Sequence, residues 1–304
     1  MKTLRIATRR SRLALWQSEH VAAQIQRHHS DIDTELVPLS TRGDEVLDRS
    51  LSEIGGKGLF LKELERALLE GQADIAVHSL KDVPADNPEG LELSVVLPRA
   101  DWADWWLTRD GRRPDAMPAG ATVGTSSLRR QAQLLRSHPQ LRVVPIRGNV
   151  QTRLDKMLSG EVDAVILAAA GLKRLGIDID HVSPLLPPEF LPAPGQGVIV
   201  VQSRVGDPQV SALLQPLDCQ ETRIRVDAER AVVAKLGGDC RMPLAAHAHI
   251  DGERVMLSAR LCSPDGGDCI DAAGSASIGE AEDLGRSVAE ELLGQGGRRI
   301  LAAL

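Results

Sequence analysis

Tyrosine is absent from this chain of 304 residues, and only two Phe and four Trp occur, so aromatic residues make up 2%. The cores must therefore be built from Leu, Val, Ile and Ala. Cysteine is sparse, with four residues at 219, 240, 262 and 269. None forms a C-x-x-C pair, which leaves zinc-ribbon and thioredoxin chemistry without a motif. In a reducing compartment all four are expected as free thiols. Long apolar runs are missing too. The longest, 164–172, falls well below the roughly 18 residues that span a bilayer, and near the N-terminus 13–16 is too short for the apolar region of a signal peptide. A cytoplasmic protein with no membrane partner is expected. Basic residues are not in excess: Lys plus Arg is 36 against 42 Asp plus Glu, a net charge of −6. Nonspecific binding of nucleic acid relies on a basic field, so it is not expected here.

What is present is ordinary soluble composition, 42% hydrophobic and 26% charged, over a length that suits two or three domains. Residues 4–8 read as a strand. A helix follows with Ala14, Ser18, Val21, Ala22 and Ile25 at helical spacing. Residues 34–39 read as a second strand. The Gly55-Gly56-Lys57-Gly58 run opens a helix whose inner face carries Phe60, Leu64, Ala67 and Leu68. A buried strand at 74–78 ends in a polar loop at 79–82, which Pro84 closes. An irregular connection at 110–120 leads to a second alternating run, with strands at 121–124, 142–146 and 163–168. Strands alternating with helices argue for parallel α/β sheets. A stretch dense in Pro and Gly, 184–197, suggests a crossing back to the first domain. From 220 a helix carrying Ile224, Ala228, Ala231 and Val232, three strands and a C-terminal helix read as a smaller α+β domain.

Polar and basic residues recur where strands hand over to helices. Arg9 and Ser11 follow the first strand, and Lys81 and Asp82 follow the third. Thr125, Ser126, Ser127, Arg129 and Arg130 follow a strand of the second run, and Arg147 and Arg153 flank the next such turn. Ligands of open α/β sheets bind at this carboxyl edge, where helix N-termini offer free N–H groups to anions. Several guanidiniums in one place suit a ligand with many carboxylates. Each arginine alone reads equally as a solvated surface residue. The Gly55–Gly58 run lacks the full G-x-x-x-x-G-K-[ST] spacing and has Leu59 where Ser or Thr is needed, so nucleotide binding is rejected. It reads as a glycine loop carrying Lys57, or as a plain lead into a helix. His78-Ser79-Leu80-Lys81-Asp82-Val83-Pro84 is either a turn with a local ion pair or a catalytic carboxylate in a basic cleft. Cys240 follows Gly237-Gly238-Asp239 on a glycine-rich loop, which argues for a reachable thiol beside Arg241. A small buried hydrophobe is the alternative. His247 and His249 share a strand face, but with Cys240 they lack a fourth ligand of motif spacing, so no metal is expected.

Taken in order, Arg5-Ile6-Ala7-Thr8-Arg9, Thr41-Arg42-Gly43-Asp44, residues 55–60, 78–84 and 124–130, Arg147-Gly148-Asn149, Pro194-Gly195-Gln196-Gly197 and the Cys240 loop resemble the hydroxymethylbilane synthase (porphobilinogen deaminase) family over nearly the whole chain. The resemblance implies an α/β fold with two periplasmic-binding-protein-like domains around a cleft and a small α+β C-terminal domain. The boundaries expected are 1–99 plus 198–216, then 100–197, then 217–304. It implies a transferase that joins four porphobilinogen molecules head to tail with loss of ammonia, giving hydroxymethylbilane for tetrapyrrole biosynthesis. It also implies a dipyrromethane cofactor held through a thioether at Cys240, and a monomer. Asp82 becomes the catalytic carboxylate, stabilising an electron-poor azafulvene and the cationic pyrrole that attacks it. Cofactor contacts fall to Lys81, Asp82, Thr125, Ser127, Arg129, Arg130 and Arg147. Substrate contacts fall to Arg9, Ser11, Arg147, Arg153, Arg174, Gln196 and, on a mobile loop, Lys57.

Four departures from the family pattern stand out. Asp239 replaces a usual Gly, and its carboxylate makes thiolate formation at Cys240 harder. Trp102-Ala103-Asp104-Trp105-Trp106 stands where Pro-Arg-Asp-Ala and one apolar residue are usual. Arg12 replaces a common Pro, and Gln202-Ser203 a common Glu-Cys pair. The rival readings are a noncatalytic anion-binding protein on the same two-domain fold, and a degenerate paralogue that cannot assemble its cofactor.

Overall fold

The computed structural model describes residues 2–40, 61–238 and 242–304. These divide into two compact units, 1–100 with 198–223, and 101–197 with 224–304.

The first unit is built on strands β1 (Thr3–Arg9), β2 (Asp33–Leu39), β3 (Ile75–Ser79) and β4 (Leu91–Val96). Helix α1 (Arg12–His28) joins β1 to β2, and α2 (Lys62–Leu69) precedes β3. Ser11 caps α1 by accepting the Ala14 N–H at 3.3 Å, which satisfies one orphan donor of the first turn. On one sheet face Ile6, Ile75 and Val77 pack with Val21 and Ile25 of α1. On the other, Ala7 and Ala76 pack with Leu64, Ala67 and Leu68 of α2. Burial on both faces is why these strands read as continuous apolar runs.

The second unit contains β5 (Asp104–Thr108), β6 (Thr122–Gly124), α3 (Leu128–Ser137), β7 (Arg142–Val144), α4 (Val150–Leu158), β8 (Ala164–Ala168), α5 (Ala169–Arg174) and β9 (Val182–Leu185). The chain then returns to the first unit as β10 (Ile199–Arg204) and α6 (Pro208–Leu214). Helix α7 (Gln220–Lys235), strands β11 (Leu244–Asp251), β12 (Arg254–Cys262) and β13 (Cys269–Ser277), and helices α8 (Ala281–Leu292) and α9 (Arg298–Ala302) complete it. Gly285 of α8 lies so close to α7 that a Cβ there would sit 2.3 Å from the Ala228 carbonyl oxygen.

The two five-stranded sheets share one order. The first runs β2-β1-β3-β10-β4 and the second β7-β6-β8-β5-β9, beside a three-stranded β11-β12-β13 sheet. In the first, β1, β2 and β3 are parallel and β10 is antiparallel to both neighbours. In the second, β6, β7 and β8 are parallel and β5 is antiparallel to both neighbours. The α/β class, with two large mixed sheets and a small C-terminal α+β part, is therefore as expected. The sheets are mixed rather than purely parallel, because each receives one strand at a point where the chain crosses between units.

One expectation is overturned. Cys262 and Cys269 are not free thiols but a disulfide, and they face each other as the last pair of the β12–β13 ladder. Their spacing of seven residues resembles no motif, so only the hairpin register brings them together. Cys219 is a free thiol and is half-buried.

Candidate functional site

Parallel strands end on the same edge of their sheet, so the turns that follow β1 and β3 share one edge, as do those that follow β6, β7 and β8.

On the first unit, Arg9 ends β1 half-buried and Ser11 opens α1 with its hydroxyl occupied as the cap. After β3 the chain makes a single tight turn over Leu80–Asp82. Leu80 is buried and its N–H donates to the Val198 carbonyl at 3.0 Å, while the Val83 N–H closes the turn on the Leu80 carbonyl at 3.0 Å. This places Lys81 and Asp82 half-buried at the sheet edge. The Asp82 carboxylate has no ion pair or side-chain hydrogen bond with another described residue. Beneath the turn, His78 is buried with its Nε2 3.0 Å from Gln202 Oε1. Burial drives the His78 pKa down to about 4, against the opposing effect of the Gln202 hydrogen bond and with help from the Arg9 charge. His78 is therefore neutral near pH 7, a role the sequence did not single out.

On the second unit, Thr125 is buried and its hydroxyl accepts the Ser127 N–H at 3.2 Å. Ser127 caps α3 through the Arg130 N–H. Arg129 and Arg130 are buried, and their guanidiniums converge on Asp104. Arg129 Nη1 reaches Asp104 Oδ2 at 2.7 Å and the Leu191 carbonyl at 2.7 Å. Arg130 donates from Nε and Nη2 to Asp104 Oδ1 at 2.9 and 2.6 Å, and from Nη1 to the Ile166 carbonyl at 2.9 Å. Burial lowers the Arg129 pKa, offset by the Asp104 charge and reinforced by Arg130. Gln196 is fully buried and bonds the same carboxylate at 3.1 Å and the Trp102 carbonyl at 2.8 Å. Asp104 is thus the hub of this edge. A charged residue inside a tryptophan-rich segment was its only mark in the sequence.

The next turn is Arg147-Gly148-Asn149. Gly148 has φ of 108°, and a Cβ there would lie 2.6 Å from Thr152 Cβ, so this turn requires glycine. Asn149 caps α4 by accepting the Thr152 N–H at 3.0 Å. Arg147 and Arg153 are half-buried, and Arg153 Nε holds the Gly148 carbonyl at 2.9 Å. Arg174, at the end of α5, holds the Gly197 carbonyl at 2.7 Å, and burial lowers its pKa to about 10. Lys57 and Cys240 lie outside the described residues. Among those described, no group of His, Cys, Asp and Glu is placed to hold a metal ion.

These edges carry capped helix N-termini and guanidiniums, the donor set for a polycarboxylate. A family profile described as porphobilinogen deaminase, dipyromethane cofactor binding domain, matches residues 4–212. The chain belongs to the porphobilinogen deaminase family. The profile of that family's C-terminal domain matches residues 223–294. Porphobilinogen deaminase of Xanthomonas oryzae pv. oryzae strain PXO99A is 52% identical over 304 residues, covering all of both chains. That of Xanthomonas campestris pv. campestris strain B100 is 51% identical over the same span. Among solved structures, the BvgS periplasmic VFT2 domain of Bordetella pertussis aligns with 76% of this chain and 92% of its own, at 17% identity and a TM-score of 0.45. The BenM effector binding domain with benzoate aligns with 71% of this chain and 90% of its own, at 15% identity and a TM-score of 0.44.

Proposed function

We propose that this chain is a hydroxymethylbilane synthase, condensing four porphobilinogen molecules head to tail with release of ammonia. The observation that carries the reading is Asp82. In a chain that belongs to the family over its whole length, this carboxylate stands at a strand edge beside Lys81 without an ion pair among the described residues. A carboxylate with no ion pair among the described residues can stabilise positive charge that develops on a pyrrole nitrogen, and a fixed charge does so without reorganising.

The residues present fit a dipyrromethane carrying acetate and propionate arms. Lys81, Thr125, Ser127, Arg129, Arg130 and Arg147 would hold it, and Cys240 would anchor it through a thioether. When bound, it supplies the pyrrole carbon to which the first substrate unit couples. Arg129 and Arg130 are already clamped to Asp104, so they would hold it mainly by keeping the edge positive. Arg9, Ser11, Arg147, Arg153 and Arg174 take the substrate carboxylates, and Lys57 adds a further cation. Gln196 is fully buried and contributes by holding Asp104 rather than by touching substrate. The chain is read as three domains, 1–99 plus 198–216, 100–197 and 217–304, the last carrying the anchor. The enzyme works as a cytoplasmic monomer on a small-molecule substrate, with no nucleic-acid or membrane partner. No helix among the described residues is long and apolar enough to cross a membrane.

The test is intact mass followed by peptide mapping, on protein made in cells replete with porphobilinogen. An adduct of two pyrrole units on Cys240 is expected, and Cys240→Ser should lose both adduct and turnover. With Cys262 and Cys269 paired, Cys219 is the competing thiol among the described residues. An unmodified mass, or an adduct on Cys219, would overturn the assignment.

A further inference from the structure

We propose that Cys262 and Cys269 form a reversible thiol–disulfide site, separate from the anchor thiol, that seats the β12–β13 hairpin against helix α3. The proposal stands apart from the reading of activity, since it concerns how α3 is held whatever the chain catalyses.

Three sets of contacts carry it. The two cysteines pair across the last rung of the ladder, with Cα atoms 4.1 Å apart. The next rung on that face, Arg260 opposite Asp271, is an ion pair. Arg260 is buried and its guanidinium also reaches the carbonyls of Pro188 and Glu189, at 3.0 and 2.8 Å, and Gln133 Oε1 at 3.3 Å. Asp271 in turn holds Arg136 at 2.9 Å. The loop between the cysteines lies flush on α3. Gln131 Nε2 donates to the Pro264 carbonyl at 3.0 Å. Gly266 sits so tightly that a Cβ would lie 2.5 Å from the Ala132 carbonyl oxygen and 2.7 Å from the Arg136 nitrogen. Gln131, Gln133 and Arg136 are thus all held by the hairpin that the disulfide closes. The same helix begins with Ser127, Arg129 and Arg130.

Access to the two sulfurs is unequal. Cys262 is fully buried and Cys269 is half-buried, so exchange starts at Cys269. A low-molecular-weight thiolate attacks the Cys269 sulfur, the S–S bond breaks, and Cys262 leaves and takes up a proton. A second small thiol then attacks the mixed disulfide at the small-molecule sulfur, releasing the Cys269 thiol and a low-molecular-weight disulfide. The sum is one protein disulfide and two small thiols giving two protein thiols and one small disulfide. Oxidation is the reverse, with the small disulfide as oxidant. A thioether at Cys240 takes no part, because it has no S–S bond to exchange.

The full-length protein would be equilibrated in buffers of reduced or oxidised glutathione, then examined by differential alkylation with peptide mapping and by amide hydrogen exchange. The expected result is two additional alkylated cysteines, 262 and 269, in the reduced buffer, with Cys219 unchanged. Exchange over 128–137 should rise by about fivefold on reduction, as a local opening becomes less costly. Cys269→Ser should match the reduced protein in both buffers in its exchange over 128–137 and in alkylation of Cys262. Equal alkylation of Cys262 and Cys269 in the two buffers, or exchange in α3 that ignores the buffer, would overturn the proposal.

Discussion

At the scale of single residues, the two groups that flank the β3 turn have opposite requirements. The role proposed for Asp82 needs a carboxylate at the sheet edge, and Asp82→Asn keeps the shape while removing it. Turnover should fall by about 10²–10³, the usual cost of one electrostatic stabiliser, while the thermal midpoint stays put. Single-turnover kinetics within tenfold of the parent would remove Asp82 from the mechanism. His78, directly beneath, has to stay neutral. Its pKa in the folded protein is about 4, against a usual 6.5, so between those values the unfolded chain binds the extra proton. The contribution of neutral His78 is therefore complete above about pH 6.5 and is lost as the pH falls toward 4. That window corresponds to roughly 3 kcal/mol. Urea unfolding at pH 7 and pH 4.5 should show this loss in the parent and a smaller one in His78→Asn. Equal losses in both would mean that other groups govern acid sensitivity.

At the scale of elements, one close contact lies beside the proposed anchor Cys240. Gly238 is buried, and a Cβ there would lie 2.0 Å from Met242 Sδ. Gly238→Ala forces the Met242 thioether aside or shifts the Gly238 backbone, an overpacking cost of about 1–3 kcal/mol. The fraction of protein carrying the cofactor mass should drop, and Met242→Ala in the same chain should restore it. An undiminished mass without the second change would show that cofactor loading does not depend on this contact. The tryptophan segment divides in the same concrete way. Trp106 is buried, with its indole N–H on the Arg112 carbonyl at 2.9 Å, and should be silent during turnover. Trp102, half-buried against His247 with ring centroids 4.1 Å apart, is the reporter to keep. Trp102→Phe should abolish most of any emission change seen when porphobilinogen is added to cofactor-loaded enzyme, and an undiminished change would assign the signal elsewhere.

What could be read beforehand follows from where the information lies. Strands such as β3 and β8, buried on both faces, show as apolar runs, and α1 and α2 show their buried stripes at helical spacing. Ser11 and Ser127 stand where a cap is needed, and the strand-end arginines stand where anions bind. Strand β5 was not legible, because its place depends on β8 and β9 and it begins with a charged residue. Asp104 makes sense there only once Arg129, Arg130 and Gln196 arrive from three other segments. The disulfide was hidden for the same reason, being a property of hairpin register and not of spacing.

At the scale of the whole molecule, the shared strand order of the two large sheets governs how the chain is made. Strand β10 lies between β3 and β4, yet β4 ends at Val96 and β10 begins at Ile199. During synthesis at ordinary rates, β3 and β4 leave the ribosome on the order of ten seconds before the strand that must pair with both. For that interval each presents an unpaired apolar edge, the kind that templates aggregation. Nascent chains stalled before residue 199 should be cut readily by protease and retained by a holding chaperone. Chains stalled late enough to release residue 204 should resist within 1–100. Equal resistance at both lengths would mean that the first sheet closes without its central strand. The crossing by which the chain leaves its first sheet and later returns to it thus makes the ribosome's timetable part of the folding problem, and ties the yield of this enzyme to whatever shelters its first hundred residues.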